Sequence, residues 1–337
     1  MKMSPGKLWG MRRLADANGH LQMVAIDQRT PIFGPIAAAR GATEPTREDI
    51  VAVKQLLARH LAPHSSAILM DPNWAYPLSI GEVPPQVGVI LSYEHHVTEN
   101  TPGGRMSIAI PDWSVAKTRR IGADAVKVLV WYRADASPEV RAHQEAFVEA
   151  AGQACRDHDI VMLLEVLIYP LPGEETATME ARREELVLDS IRPFCDPRYA
   201  VDIFKLEPPG AIHRVPDPDG PDASALQAAY ERMAAMLPGP WVMLSAGAGP
   251  ADFERSLHYA YRAGASGYLA GRAIWWEPFR NFPDLRKMEN GLASESVAVL
   301  DRLNALTNSS AAPWYAHDDS AALPAADDAT FPAAYAT

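Results

Sequence analysis

Eight short, almost continuously apolar runs recur along the chain, at 21–27, 67–71, 87–92, 125–132, 161–167, 201–207, 241–246 and 267–271. Runs this short, with no strict polar alternation, predict strands buried on both faces, as in a parallel sheet. Between them, helical patterns fall at 46–60, 113–121, 138–158, 178–194, 223–237 and 250–263. Ser137-Pro138 supplies an N-cap followed by proline at the first helical position, Gly249-Pro250 resembles it, and Ala263-Gly264 is a C-terminal stop. Eight strands alternating with helices predict a closed (β/α)8 barrel, for which about 250 residues are typical. An open doubly wound sheet is the competing fold, but the first run ends Ile26-Asp27-Gln28-Arg29 without the glycine-rich turn of that fold. The expectation is one α/β barrel domain over 1–308 and a C-terminal extension over 309–337.

Charge and composition narrow the function. The chain has 337 residues, 48% of them hydrophobic, and a net charge of −11. An acidic balance argues against a nucleic-acid binder and against adhesion to anionic lipid. No apolar run approaches the ~20 residues of a membrane span. Cys155 and Cys195 stand far apart with no CxxC, so neither a disulfide framework nor a thiolate zinc site is expected, and the cytoplasm is the expected compartment. The ten histidines show no HxH or HExxH spacing, and no metal or other cofactor is expected. Trp131-Tyr132 and Trp275-Trp276 could line a pocket, with core or interface packing the preferred reading, and both cysteines read as small apolar residues.

In a barrel, chemistry gathers at the C-terminal ends of strands, so charges inside apolar runs are informative. The sixth run carries Lys205, on one face with Ile203 and Glu207. Burying a lysine charged is costly, and desolvation favours the free amine, a nucleophile toward carbonyls. The fourth run carries Lys127, whose ammonium would depress a neighbouring lysine further, and the fifth carries Glu165 between them. An amine, a cation and a carboxylate on three consecutive strands fit Schiff-base chemistry; the alternative is a buried structural Lys-Glu-Lys network. Asp27, Gln28 and Arg29 add a carboxylate, an amide and a guanidinium at the rim. The turns after runs seven and eight, Ser245-Ala246-Gly247-Ala248-Gly249 and Gly271-Arg272, sit where barrel enzymes bind phosphate; the bland alternative is glycines that merely close tight turns.

These residues resemble the tagatose 1,6-bisphosphate aldolase family of metal-independent, class I barrel aldolases. The resemblance rests on AIDQR at 25–29, SSAILMDP at 65–72, GADAVKVLVWYR at 122–133, LLEVLIYP at 163–170, DIFKLEPP at 202–209, VMLSAGAG at 242–249 and GASGYLAGRAIW at 264–275. It runs in order from about residue 10 to 308. It implies a Schiff-base lysine at Lys205, an acid/base at Glu165, active-site roles for Lys127, Asp27 and Gln28, and a phosphate site at Ser245, Gly247, Gly271 and Arg272. Arg29 or Arg133 would bind the distal anion. The implied reaction is cleavage of a phosphorylated ketose, tagatose 1,6-bisphosphate-like, to dihydroxyacetone phosphate and an aldehyde. Without a metal, such a cleavage must stabilise its carbanion through an imine, which agrees with the lysines. VLVWYR, PWVMLSAG and GASGYLAGRAIW resemble equally the branch that cleaves 6-deoxy-6-sulfofructose 1-phosphate. The loop 208–222, with His213 and Arg214, departs from both patterns.

Rival readings are an aldolase-derived sensor of sugar phosphates, whose mark would be loss of Lys205 or Glu165, and a barrel isomerase using Glu165 without an imine. The expected assembly is a homo-oligomer, dimer or tetramer. The extension 309–337 lacks Lys and Arg and carries Asp318, Asp319, Asp327 and Asp328. It reads as a structureless segment, although Trp314, Tyr315, Phe331 and Tyr335 suggest docking on the barrel or on a neighbouring subunit.

Overall fold

The computed structural model describes residues 3–317. Its strands are β1 (Leu21–Ala25), β2 (Ala67–Met70), β3 (Gly88–Ser92), β4 (Glu99–Thr101), β5 (Gly104–Met106), β6 (Ala125–Trp131), β7 (Val161–Leu167), β8 (Ile203–Leu206), β9 (Trp241–Met243) and β10 (Gly267–Ala270). Eight of them pair in parallel and close on themselves in the order β1-β10-β9-β8-β7-β6-β3-β2, while β4 and β5 form a separate antiparallel hairpin. The eight predicted strands are the eight barrel strands.

Two apolar layers explain why these runs carry so little polarity. The outward residues, such as Val24, Ile68, Val126, Leu164, Phe204 and Met243, pack under the helices. The inward residues Met23, Leu69, Ile90, Ala125, Leu163, Ile203, Val242 and Leu269 fill the barrel, closed from below by Met11, Leu14 and Trp314. A barrel interior is thus a packed core rather than a pore.

The helices start where capping chemistry allows. Ser137 accepts from the Val140 amide with Pro138 at the first turn of helix Pro138–Asp157, and Thr46 caps helix Arg47–Leu61 through the Asp49 amide. The predicted helix over 178–194 is instead Thr176–Ala181 and Arg183–Ile191 followed by a 3-10 turn, because Arg182 leaves helical geometry and Pro193 follows. Pattern reading passed over the plug helix Pro5–Leu14, helices Thr30–Ala39 and Arg272–Phe279, each with an internal or early proline or glycine, and the C-terminal Val297–Ser310.

The extension begins inside that last helix. Trp314 is buried, Tyr315 donates to the Asn18 carbonyl, and His317 meets the Gly264 carbonyl. Asp318, Asp319, Asp327, Asp328, Phe331 and Tyr335 lie outside the described residues. Among the described residues no helix is long and apolar enough to cross a membrane.

Candidate active site

Side chains alternate along a strand, so the next inward position is two residues on. Following Ala25, Ile90, Ala125, Leu163 and Ile203 upward by two gives Asp27, Ser92, Lys127, Glu165 and Lys205. The barrel interior therefore changes from apolar to ionic within one step. Strand register sets the heights: Lys205 lies beside Glu165, and Lys127 beside Ser92.

Glu165 is the hinge of the cluster. Its Oε2 stands 3.0 Å from Lys205 Nζ and 3.0 Å from Lys127 Nζ. Lys127 also donates to Asp27 Oδ2 at 3.0 Å and to Glu94 Oε1 at 2.9 Å, and Ser92 donates to the same Asp27 oxygen. All five charged groups are buried. Burial alone would push the carboxyls of Asp27 and Glu165 up, but Lys127 and Lys205 overcome it and hold both below the usual carboxylate range. Burial likewise works against the Lys127 cation, yet Asp27, Glu165 and Glu94 raise it above the usual lysine range. This corrects one expectation: Lys127 is not a bare cation acting on Lys205. Three carboxylates surround it, and it shares Glu165 Oε2 with Lys205.

Glu94 was not anticipated. It lies two residues past Ser92, the next inward step beyond β3, and that spacing is the signal that could have found it. It accepts from Lys127, from Arg29 at 2.8 Å and from the Leu129 amide at 3.1 Å. Arg29 is consequently buried against Glu94, and Arg133 is buried among Asp135, Glu174 and the Tyr169 carbonyl. These contacts use both terminal nitrogens of Arg29 and the whole Arg133 guanidinium, which counts against the distal-anion role expected of either.

Lys54 was missed as well. It sits at the i+4 position from Ile50 on the buried face of its helix, pairs with Asp71 at 3.1 Å, and donates to the carbonyls of Ile26 and Gln28. It thereby fixes the backbone that presents Asp27 and Gln28. Cys155 is buried and Cys195 partly so, as suits small apolar residues, and burial pushes Cys155 up to about 12 and Cys195 up to about 11.

Above the ionic layer lies a cavity of about 250 Å³ whose wall includes Gln28, Glu165, Lys205, Ser245, Gly247, Gly271 and Arg272. Asp27 and Lys127 stand outside that wall, in contact with it through Glu165. Trp131 lines the cavity, the less favoured of the two roles expected for it. His213 and Arg214 are exposed outside it. At the β9 end, Ala246 and Gly247 have φ of 49° and 86°, which turns the chain back so that Ala248 N–H donates to the Ser245 carbonyl. Gly271 admits no side chain, because a Cβ there would lie 2.6 Å from Gln28 Nε2 and 2.7 Å from the Ala25 carbonyl. Arg272 follows directly. Its guanidinium, partly buried beside Gly247, has no hydrogen-bond or ion-pair partner among the described residues. An unpaired guanidinium over a left-handed turn at a helix start is a ready anion site.

The DeoC/LacD family aldolase profile matches residues 21–277, which include every residue of this cluster. The chain belongs to that family. It is similar to the tagatose 1,6-diphosphate aldolase of Streptococcus agalactiae, 32% identical over 331 residues covering 93% of this chain and 99% of the relative. It is also similar to tagatose 1,6-diphosphate aldolase 1 of Streptococcus mutans, 29% identical with coverage of 93% and 99%. In fold it resembles a fructose-bisphosphate aldolase from Plasmodium falciparum, with a TM-score of 0.61 at 14% identity over 89% of this chain and 95% of that one. A Schiff-base-forming fructose-1,6-bisphosphate aldolase gives a TM-score of 0.54 at 14% identity, covering 88% and 99%. Family membership makes the protein an aldolase, a carbon–carbon lyase.

Proposed function

We propose that this aldolase works through an imine on Lys205, cleaving a phosphorylated ketose of the tagatose 1,6-bisphosphate type to dihydroxyacetone phosphate and an aldehyde. One observation carries the reading. Lys205 Nζ and Glu165 share a 3.0 Å contact at the wall of a cavity that an unpaired Arg272 also lines. Ionised Glu165 accepts a proton from the Lys205 ammonium and leaves the amine free. The amine adds to the C2 carbonyl, Glu165 returns its proton to the carbinolamine hydroxyl, and water departs, giving an iminium and an ionised Glu165. Glu165 then takes the C4 hydroxyl proton, the C3–C4 bond breaks, and its electron pair moves into the iminium to form an enamine. The aldehyde leaves. The enamine is protonated at C3, and hydrolysis returns dihydroxyacetone phosphate and Lys205. Ser245, Gly247, Gly271 and Arg272 hold the C1 phosphate, Gln28 addresses sugar hydroxyls, and Asp27 holds Lys127, which fixes Glu165.

The test is borohydride reduction with dihydroxyacetone phosphate, read by peptide mass spectrometry. The expected result is one adduct, on Lys205, formed equally after chelator treatment. An unmodified Lys205 would sink the imine and leave the isomerase or sensor readings standing.

A further inference from the structure

The neutralisation of Arg29 and Arg133 leaves open which group meets the end of the substrate remote from Arg272. Arg183, which lines the cavity, is also engaged, by Glu180, Glu207 and the Pro208 carbonyl. Arg105, on β5, is different. Its guanidinium carbon lies 4.7 Å from the ring centre of Trp131 and 4.8 Å from that of Tyr169, and none of its side-chain donors meets an acceptor among the described residues. Aromatic faces hold a guanidinium without using its N–H groups.

The side chain is not needed to anchor the hairpin. Arg105 N–H donates to Tyr169 Oη at 2.9 Å, and the buried Gln144 amide bridges the Arg105 and Trp131 carbonyls at 3.0 and 2.9 Å.

Barrel order supplies the direction. Trp131 ends β6 and lines the cavity, and Arg272 follows β10. In the closed ring β6 is the fourth strand from β10 by either route, so Trp131, on which Arg105 is stacked, stands across the ring from Arg272. β8, which carries Lys205, lies midway between them. An open chain with an anion at each end would stretch from Arg272 to Arg105 with its carbonyl over Lys205.

We propose that Arg105, held on Trp131 and Tyr169, is the specificity-determining residue that binds the distal phosphate or sulfonate of the substrate. This rests on the proposed aldolase reading for the role of Arg272 and Lys205.

The test uses the full chain and ligands that cannot form an imine. Calorimetry compares hexitol 1-phosphate, hexitol 1,6-bisphosphate and 6-deoxy-6-sulfohexitol 1-phosphate on wild type and Arg105→Met. Loss of a charge-assisted contact predicts that wild type binds at least one doubly anionic ligand about 10-fold or more tightly than the monophosphate, and that R105M brings this ratio to about one. The monophosphate affinity should stay within about 2-fold, as expected for a remote site. The tighter of the two doubly anionic ligands identifies the distal group. R105M weakening all three ligands alike, an unchanged ratio in R105M, or a wild-type ratio near one would overturn the inference. Should R105M not fold, Arg105→Gln gives the same comparison. Failure of borohydride trapping with an Arg105-dependent ratio would remove the imine and keep this site. Successful trapping with an Arg105-independent ratio would do the reverse.

Discussion

Two consecutive layers inside one barrel differ only by a step of two residues along the same strands. The lower holds Ala25, Ile90, Ala125, Leu163 and Ile203; the upper holds Asp27, Ser92, Lys127, Glu165 and Lys205. Both are almost fully buried, yet their energetics are opposite. The lower layer gains from every methylene removed from water. The upper carries ions that must be desolvated, and it is tolerable because Glu165 is shared by two lysines and Lys127 by three carboxylates. The lower layer is thus assigned to stability and the upper to chemistry.

Substitutions in the upper layer should break that division first if it is wrong. Lys205→Met should reduce aldol cleavage by about 10⁴-fold or more while lowering the thermal midpoint only modestly, because Glu165 keeps Lys127 as its partner. Cleavage assays alongside calorimetric melting check both halves. Glu165→Gln should lower kcat by about 10²- to 10⁴-fold, the usual contribution of a positioned acid/base. Single-turnover cleavage would show this, and KM should move far less than kcat.

In the lower layer, Ile203→Ala, one inward step below Lys205, should instead cost about 2–5 kcal/mol of stability by cavity formation. Denaturant titration measures it, and the surviving folded enzyme should keep much of its kcat. A variant that lost activity at unchanged stability would erase the distinction between layers.

The smallest effect concerns pH. Because the folded-state values of Asp27 and Glu165 lie below the usual range, their charged forms stabilise the fold above the unfolded carboxylate pKa of about 4. That contribution is lost as pH falls through the folded values. The acid limb of stability should therefore lie below the ordinary carboxylate range in wild type. Asp27→Asn should flatten its slope in urea midpoints measured between about pH 2 and 5.

Much of this was legible from the amino-acid order alone, for reasons visible in particular residues. Buried strands repeat as short apolar runs, so a charge within one, such as Lys205 or Glu165, stands out against its neighbours. Lys54 hid because it lies on a helix, where charge is ordinary, although its spacing from Ile50 and Leu57 places it on the apolar face. Glu94 hid because it follows the strand rather than interrupting it. The plug helix Pro5–Leu14 hid because its buried side, with Gly10, Met11 and Leu14, is too short to show periodicity.

The local pattern by itself determined the barrel, its eight strands and the inward column that carries Lys127, Glu165 and Lys205, because alternation and apolar run length are properties of neighbouring residues. Only the tertiary structure decided which charges meet. Arg29, Arg105, Arg133 and Arg272 are the same residue type in the sequence. Closure of the barrel gives Arg29 and Arg133 carboxylates from distant segments or from a turned loop, lays Arg105 on two rings, and leaves Arg272 facing the cavity. Electrostatic partnership depends on distance in space, and that is set by which strands become neighbours when the ring closes.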